Sequence, residues 1–184
     1  MTTLKQLIAD GEKALTDSDI ARLDVELLLA HSISQPRTWL YTWPDHIPSA
    51  VEQNLYLELL RRRQSGEPIA YLVGKQAFWN LELNITPDVL IPRPETELLV
   101  EKTLEKLAGI KQARVVDLGT GSGAIAVALA NDNPDWEISG SDSSNGALDV
   151  ARNNAELLNI RNVSFQAGDW LAPFPERRFH AIVS

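Results

Sequence analysis

Three closely spaced glycines behind a carboxylate are the residues with the clearest chemical meaning in this chain. The segment reads VVDLGTGSGAIAVALA: an apolar strand runs into Asp117, and Gly119, Gly121 and Gly123 follow before an alanine-rich helix. Glycine lets a turn tighten and lets a ligand approach the backbone without a Cβ in the way. The pattern therefore predicts a ligand-binding turn at the carboxyl end of a parallel strand.

Two classes of ligand fit such a turn. The spacing Gly119-x-Gly121-x-x-Ala124 satisfies the dinucleotide fingerprint, which places a pyrophosphate at the helix N-terminus. Asp117 disfavours that ligand, because a carboxylate at the mouth of the loop repels phosphate. S-adenosyl-L-methionine has no phosphate and carries an ammonium and a sulfonium, both of which a carboxylate attracts. The residues favour this cofactor and leave a nicotinamide dinucleotide as the alternative.

Two later positions suit a bound adenosine. Asp142 ends the second predicted strand, where a carboxylate can accept hydrogen bonds from a ribose diol of either cofactor. The third strand leads into Gly168-Asp169-Trp170, where the carboxylate can accept from the adenine amine while the indole packs on the ring. Structural interpretations stay open: Asp142 as a helix N-cap, Trp170 as a hydrophobic plug, and the glycine turn as a purely structural loop.

Composition excludes several other kinds of chemistry. The 184 residues have no cysteine, which rules out disulfides, thiolate catalysis and cysteine-ligated zinc. The three histidines are far apart in the sequence, so no metal site is predicted. A net charge of -8 offers no electrostatic footprint for nucleic acid or an anionic membrane. Without a signal peptide or a long apolar run, we expect a cytoplasmic protein.

The order of predicted strands and helices after residue 112 indicates the kind of sheet that carries the glycine turn. Strands and helices alternate, which is typical of a parallel sheet with right-handed crossovers. The predicted strands are Arg114–Leu118, Glu137–Asp142, Val163–Gln166 and His180–Ser184. The predicted helices span residues 123–131 and 145–158. The fold class is therefore α/β with an open, Rossmann-like sheet.

The first seventy residues read as helices. One apolar face comprises Leu4, Leu7, Ile8 and Leu15, and a second comprises Ile20, Leu23, Leu27 and Leu28. A third helix begins with a capping box formed by Ser49 and Glu52. Its predicted apolar positions are Val51, Leu55, Tyr56 and Leu59. The arginines at its end, 61–63, are expected to complement exposed carbonyls at the helix C-terminus, with a protein-docking patch as the alternative.

A β-hairpin and a proline-rich link follow this helical region. Residues 76–86 alternate with period two around Asn80, and prolines at 87, 92 and 94 punctuate the link. The predicted division is a helical domain over residues 1–73, a hairpin and linker over 74–93, and a Rossmann-like domain over 94–184.

The same motifs carry a family resemblance that spans the chain. The sequence resembles the release-factor glutamine methyltransferases, the PrmC/HemK family. The glycine loop is typical of class I methyltransferases in general, whereas LIPRPETE, Leu90–Glu97, is far more specific. The other matching segments are RRRQSGEPIAYLVG, AFWNLELNIT and GDW. The resemblance implies a class I S-adenosylmethionine-dependent methyltransferase fold with an N-terminal all-α domain and a linking hairpin.

The resemblance also implies functions for individual residues. The loop residues Gly119, Thr120, Gly121, Ser122 and Gly123 would hold the methionine end of the cofactor. Asp142 would bind the ribose and Trp170 would contact the adenine, while Asp117 near the ammonium is our own inference. The reaction implied is methylation of the glutamine side-chain amide in the Gly-Gly-Gln loop of peptide-chain release factors, and the helical region would help to grip that protein substrate.

The chain departs from the family pattern at its end. In the family, Asn-Pro-Pro-Tyr follows the fourth strand and orients the glutamine amide, and this sequence ends at Ser184 without it. No catalytic residue is therefore assigned, and we expect these 184 residues alone to be inactive, with the sheet incomplete. A non-catalytic fragment that binds cofactor or release factor is one alternative, and a nicotinamide-dependent oxidoreductase is another. An unpaired fourth strand would favour self-association.

Overall fold

The computed structural model describes residues 2–15 and 18–184, which form two compact units, 1–73 and 74–184. The elements of the first unit are helices α1 (Leu4–Ala14), α2 (Ala21–Ser32), α3 (Arg37–Thr42), α4 (Ala50–Gln64) and α5 (Ile69–Val73). The elements of the second unit are β1 (Lys75–Phe78), β2 (Leu81–Asn84), a 3-10 turn (Pro94–Thr96), α6 (Glu97–Lys106), β3 (Arg114–Leu118), α7 (Ala124–Asp132), β4 (Glu137–Asp142), α8 (Asn145–Leu157), β5 (Val163–Ala167) and β6 (Ala181–Val183).

The helical unit is built around one apolar cluster to which each of its helices contributes, together with the turns that follow α1 and α2. The predicted capping box begins α4, because the Ser49 hydroxyl accepts from the Glu52 N–H and the Glu52 carboxylate accepts from the Ser49 N–H. Tyr56 is buried as predicted, and its hydroxyl donates to the Leu7 carbonyl at 3.0 Å. That bond ties α4 to α1.

The predicted apolar face of α4 was partly wrong. Val51 is 78% exposed and Leu55 is 38% exposed, whereas Tyr56, Leu59 and Leu60 are buried. These buried positions follow the i, i+3, i+4 spacing of one helical stripe, and Val51 lies on another side of the helix. The apolar composition of the segment therefore predicted a helix but not the side that faces the core.

The face predicted for α2 was also partly wrong. Ile20 precedes the helix and is exposed, while Asp24 and Glu26 are buried. The three arginines lie in the last turn of α4, as predicted, and Arg63 has a further role: its Nε lies 2.9 Å from Asp24 Oδ2, so this cation neutralises a buried carboxylate. A buried charge needs a partner of opposite sign, and the sequence analysis did not predict this pair.

The second unit begins with the hairpin and continues as an α/β sheet. Strands β1 and β2 pair antiparallel, with Phe78 opposite Leu81, so Trp79 and Asn80 form the turn. The four later strands are parallel in the order β5-β4-β3-β6, with β3 and β4 in the centre. The α/β class with a parallel sheet is confirmed, and the predicted bounds of β3 and β4 agree with the observed ones.

The burial of the central strand β3 follows from its apolar residues, and the burial of the neighbouring helix α7 follows from its small residues. Strand β3 is buried from Val115 onwards, as expected for a parallel strand covered on both faces. Helix α7 is rich in alanine, and because alanine side chains are small the helix can lie close to the sheet. It is buried along most of its length. Strand β6 lies at an end of the sheet with Ile182 exposed, and self-association through that edge stays a prediction. None of the helices described in residues 2–15 and 18–184 has both the length and the apolar character of a membrane-spanning segment.

Candidate cofactor-binding site

The glycine turn lies where the central strands end, and protein oxygens hold its backbone. The N–H groups of Gly119 and Thr120 both donate to the Ser141 carbonyl, at 2.8 and 2.9 Å. The Gly121 N–H donates to Asp142 Oδ2 at 2.9 Å. Because Ser141 and Asp142 end the neighbouring strand β4, the register of β3 on β4 sets the position of the whole turn.

Gly123 begins α7 in a conformation that side chains disfavour. Its φ is +79°, and a Cβ placed there would lie 3.1 Å from the Ala151 Cβ and 3.2 Å from Val127 Cγ2. Its N–H donates to the Thr120 carbonyl at 2.8 Å. The third glycine is therefore required both by its backbone angle and by the close approach of α8 to the turn.

Asp117 lies beneath the turn, at the end of β3, and is 1% exposed. The Thr120 hydroxyl donates to its Oδ2 at 2.6 Å. Burial raises the pKa of Asp117 from 3.8 to about 6, while hydrogen bonds from Thr120 and from the Ala126 backbone oppose that rise and the nearby charge of Asp142 adds to it. The carboxyl group can therefore gain or lose its proton near neutral pH.

Asp142 connects the turn to the next loop. One carboxylate oxygen accepts from Gly121 N–H, and the other accepts from Ser144 N–H at 2.9 Å. The N-cap of α8 is Ser144, whose hydroxyl accepts from Ala147 N–H, so the N-cap interpretation of Asp142 is wrong. Each carboxylate oxygen has a second lone pair, and these remain suited to two ligand hydroxyls.

Trp170 is 65% exposed, which excludes the interpretation as a hydrophobic plug. Its backbone adopts a positive φ of 48°, and its carbonyl accepts from the Ser141 hydroxyl at 2.9 Å. A cavity of about 230 Å³ lies here, lined among others by Gly119, Asp142 and Asp169. The structure therefore brings the predicted ribose and adenine residues to one cavity.

A second cavity adjoins the glycine turn. Its volume is about 440 Å³, and it is lined by the turn residues from Gly119 to Ser122 and by six residues of the link: Leu90, Ile91, Pro92, Arg93, Glu95 and Thr96. The link residues of the family-specific motif thus face the glycine turn. Gly119 and Ser184 line both cavities, so both lie beside the ends of β3 and β6.

One buried residue at this site was missed by the sequence analysis. Asn154, on α8, donates its side-chain amide to the Ser122 carbonyl at 2.9 Å. It occupies the apolar stripe of α8 with Leu148 and Ala151. A single amide within a stripe of otherwise apolar side chains was the available signal, because a buried polar group needs partners.

The backbone of the turn fits a cationic adenosyl ligand better than a pyrophosphate. A phosphate needs open N–H groups, and those of Gly119, Thr120, Gly121 and Gly123 already donate to protein oxygens. The first turn of α7 already directs a backbone N–H at the Asp117 carboxylate. A diphosphate would also meet the carboxylate of Asp142, which lines the smaller cavity, whereas the ribose hydroxyls of S-adenosylmethionine suit that group. Asp117 is buried beneath the turn and lines neither cavity, so the prediction that it stands at the mouth of the loop is wrong.

Two family models match this chain. One described as PrmC N-terminal domain matches residues 6–74, and one described as Methyltransferase domain matches residues 110–184. Among solved structures, the ribosomal protein L11 methylase from Lactobacillus delbrueckii subsp. bulgaricus is 28% identical over 53% of this chain and 49% of that chain, with a TM-score of 0.45. That overlap is too partial to add to the assignment.

Curated relatives named release factor glutamine methyltransferase match over the whole chain. The protein from Burkholderia pseudomallei (strain K96243) is 47% identical over 100% of this chain and 67% of the relative. The proteins from Coxiella burnetii and Pseudomonas aeruginosa are 43% and 44% identical to this chain. Both matches cover 100% of this chain, and they cover 66% and 65% of the two relatives, respectively.

The chain therefore spans about two thirds of the length of these relatives. The match includes the helical unit, the hairpin, the link and the glycine turn, which are the segments on which the resemblance was predicted. The chain belongs to the release factor glutamine methyltransferase family.

Proposed function

We propose that this chain is the cofactor-binding and substrate-gripping part of an S-adenosyl-L-methionine-dependent methyltransferase. Its substrate is the glutamine side-chain amide in the Gly-Gly-Gln loop of peptide-chain release factors, and its place of action is the cytoplasm. The single observation that carries the proposal is the identity of 43 to 47% with relatives of that name across the whole chain. The geometry of the glycine turn supports the choice of cofactor.

Each part of the cofactor has a proposed partner in the second unit. Asp142 accepts from the ribose hydroxyls, and Trp170 packs on the adenine in the cavity of about 230 Å³. The turn from Gly119 to Gly123 follows the methionine end, with Asp117 attracting its ammonium. The exposure of the Trp170 indole supports this assignment, because a stacking residue must present a free face to the ligand.

The chemistry depends on orientation rather than on a nucleophilic side chain. When bound, the cofactor supplies an electrophilic methyl group. An amide nitrogen is a weak nucleophile because its lone pair is delocalised into the carbonyl, so the protein must fix its position and polarise it. The cavity of about 440 Å³ beside Leu90 and Thr96 adjoins the turn and is the proposed place of the glutamine side chain.

Methyl transfer from labelled S-adenosylmethionine to a purified release factor tests the proposal. The protein should be tested as this chain and as the chain continued by the C-terminal third of the Burkholderia pseudomallei relative. We expect label on the Gly-Gly-Gln glutamine only from the continued protein, and none on a release factor in which that glutamine is replaced by alanine. Absence of label from the continued protein, with the natural relative active beside it, would refute the proposal.

A second candidate is a fragment that binds cofactor or release factor without turnover. The observation that favours it is that the residues proposed to hold the cofactor lie within this chain, which spans about two thirds of the length of its relatives. Calorimetry on the chain as it stands separates the candidates: S-adenosylmethionine binding without transfer favours the fragment, and transfer by the chain alone excludes it. Tight binding of NADH in the same assay would instead favour the oxidoreductase.

The ionisation of Asp117 predicts a pH dependence of cofactor binding. As the pH rises through about 6, the carboxyl loses its proton and gains the charge that attracts the ammonium. We expect the affinity for S-adenosylmethionine to rise about tenfold between roughly pH 5 and pH 7, a range in which the cofactor amine keeps its charge. Calorimetric titrations across this range measure the effect.

The substitution Asp117→Asn is the control for this pH dependence. Asparagine keeps the size of the side chain but cannot ionise, so its affinity should stay low and flat with pH. The free energy of unfolding of the unliganded wild-type chain should fall as the pH rises, opposite to the affinity. The raised pKa of Asp117 contributes stability that is fully present below pH 3.8, its ordinary pKa, and is lost as the pH rises through about 6. An equally steep affinity profile in the Asn variant would show that another group is responsible.

A further inference from the structure

Asn154 joins the glycine turn to the hairpin by three hydrogen bonds. Its amide nitrogen donates to the Ser122 carbonyl at 2.9 Å and to the Asn84 carbonyl at 3.0 Å. Its amide oxygen accepts from the Asn84 N–H at 2.7 Å. One side chain thus bonds both backbone groups of the last residue of β2 and one carbonyl of the turn.

The position of Asn154 leaves little room for a substitute. The residue is 1% exposed, and both the oxygen and the nitrogen of its side-chain amide have hydrogen-bond partners. A carboxylate at this position would face two carbonyl oxygens, and an apolar side chain would leave three backbone groups without partners. An unmade buried hydrogen bond costs far more than the net gain of a made one, so the amide is required by all three partners together.

We infer that Asn154 is a positioning residue for the cofactor turn, and that it couples cofactor binding to the end of β2. The inference rests on the proposed function, because the turn matters only if it holds S-adenosylmethionine. Asp142 holds the turn from the sheet side through Gly121, and Asn154 holds it from the α8 side through Ser122. With both contacts in place, the turn is fixed before the ligand arrives, and less ordering is needed on binding.

A second asparagine of the same unit, which is partly rather than fully buried, provides a comparison. The Asn162 amide nitrogen donates to the carbonyls of Ala130, Asn133 and Trp136, at 3.1, 3.0 and 3.2 Å. These groups lie in the last turn of α7 and in the loop before β4, at the end of the sheet away from the cofactor turn. Asn162 therefore has a comparable number of backbone bonds with no contact to the cofactor turn.

The substitutions Asn154→Leu and Asn162→Leu test the inference, with S-adenosylhomocysteine as the calorimetric probe. Both variants should unfold at a lower temperature than the wild-type chain. Only Asn154→Leu should bind the probe more weakly, by about tenfold or more, because only it frees the turn. Asn84→Ala should bind normally, since Asn154 contacts only the Asn84 backbone. Equal affinities of the Asn154 and Asn162 variants would overturn the inference.

Hydrogen exchange on the wild-type chain gives a second test that does not depend on a variant folding. Adding S-adenosylhomocysteine should slow exchange of the Asn84 amide as well as the amides of the turn. Protection confined to the turn would overturn the coupling while leaving the proposed function intact. A wild-type chain that binds neither S-adenosylmethionine nor the probe would instead remove the proposed function, and this inference with it.

Discussion

Replacing Asp142 with alanine is expected to weaken the binding of S-adenosylmethionine at least about a hundredfold, because hydrogen bonds to a charged group contribute about 1.5–3 kcal/mol each. The carboxylate accepts from Gly121 N–H and Ser144 N–H, and we propose that it also accepts from the ribose hydroxyls. Its removal therefore loses ligand contacts and loosens the turn together. Isothermal titration calorimetry measures the affinity.

Two variants bracket this prediction for Asp142. Asp142→Asn keeps one carbonyl oxygen as an acceptor, so its affinity should lie between those of the wild type and the alanine variant. Asp149→Ala removes an exposed carboxylate of α8 that contacts Arg152, and this variant should bind the cofactor normally. An alanine variant at position 142 with nearly unchanged affinity would exclude Asp142 as the ribose acceptor.

The substitution Gly123→Ala is expected to lower the free energy of unfolding of the second unit by about 2–4 kcal/mol. Two costs add at this position. The left-handed φ of +79° disfavours any Cβ, and that Cβ would crowd Ala151 and Val127 at 3.1 and 3.2 Å. Because these neighbours belong to α8 and α7, relief requires a helix to move and the cofactor turn to move with it. Denaturant unfolding followed by circular dichroism measures the loss.

Gly109→Ala is the matched control for the strain at Gly123. Gly109 also has a left-handed φ, +90°, but a Cβ there would meet nothing within 4 Å. Its substitution should cost only the backbone term, about 1–2 kcal/mol. The difference between the two variants isolates the close approach of α8. If the free energy of unfolding falls equally in both variants, the close contact with Ala151 does not contribute to the cost of the substitution.

Local patterns in the sequence determined the α/β class, the ends of the central strands and the place of the glycine turn. Strands β3 and β4 are apolar or small runs bounded by polar residues, so their bounds could be predicted to the residue. The capping box at Ser49 and Glu52 is also local, because its two hydrogen bonds join residues three apart. The motif of Leu90–Glu97 pointed to the family before any fold was known.

The tertiary structure alone decided which partners the polar groups have. Asn84 and Asn154 are 70 residues apart, and Ser122 and Asn154 are 32 apart, so no local pattern could pair them. The pairing of Arg63 with Asp24 and the buried side of α4 depended in the same way on how the helices pack. Short-range spacing determines backbone conformation, whereas a buried hydrogen bond or ion pair requires two distant segments to meet, and only their packing brings them together.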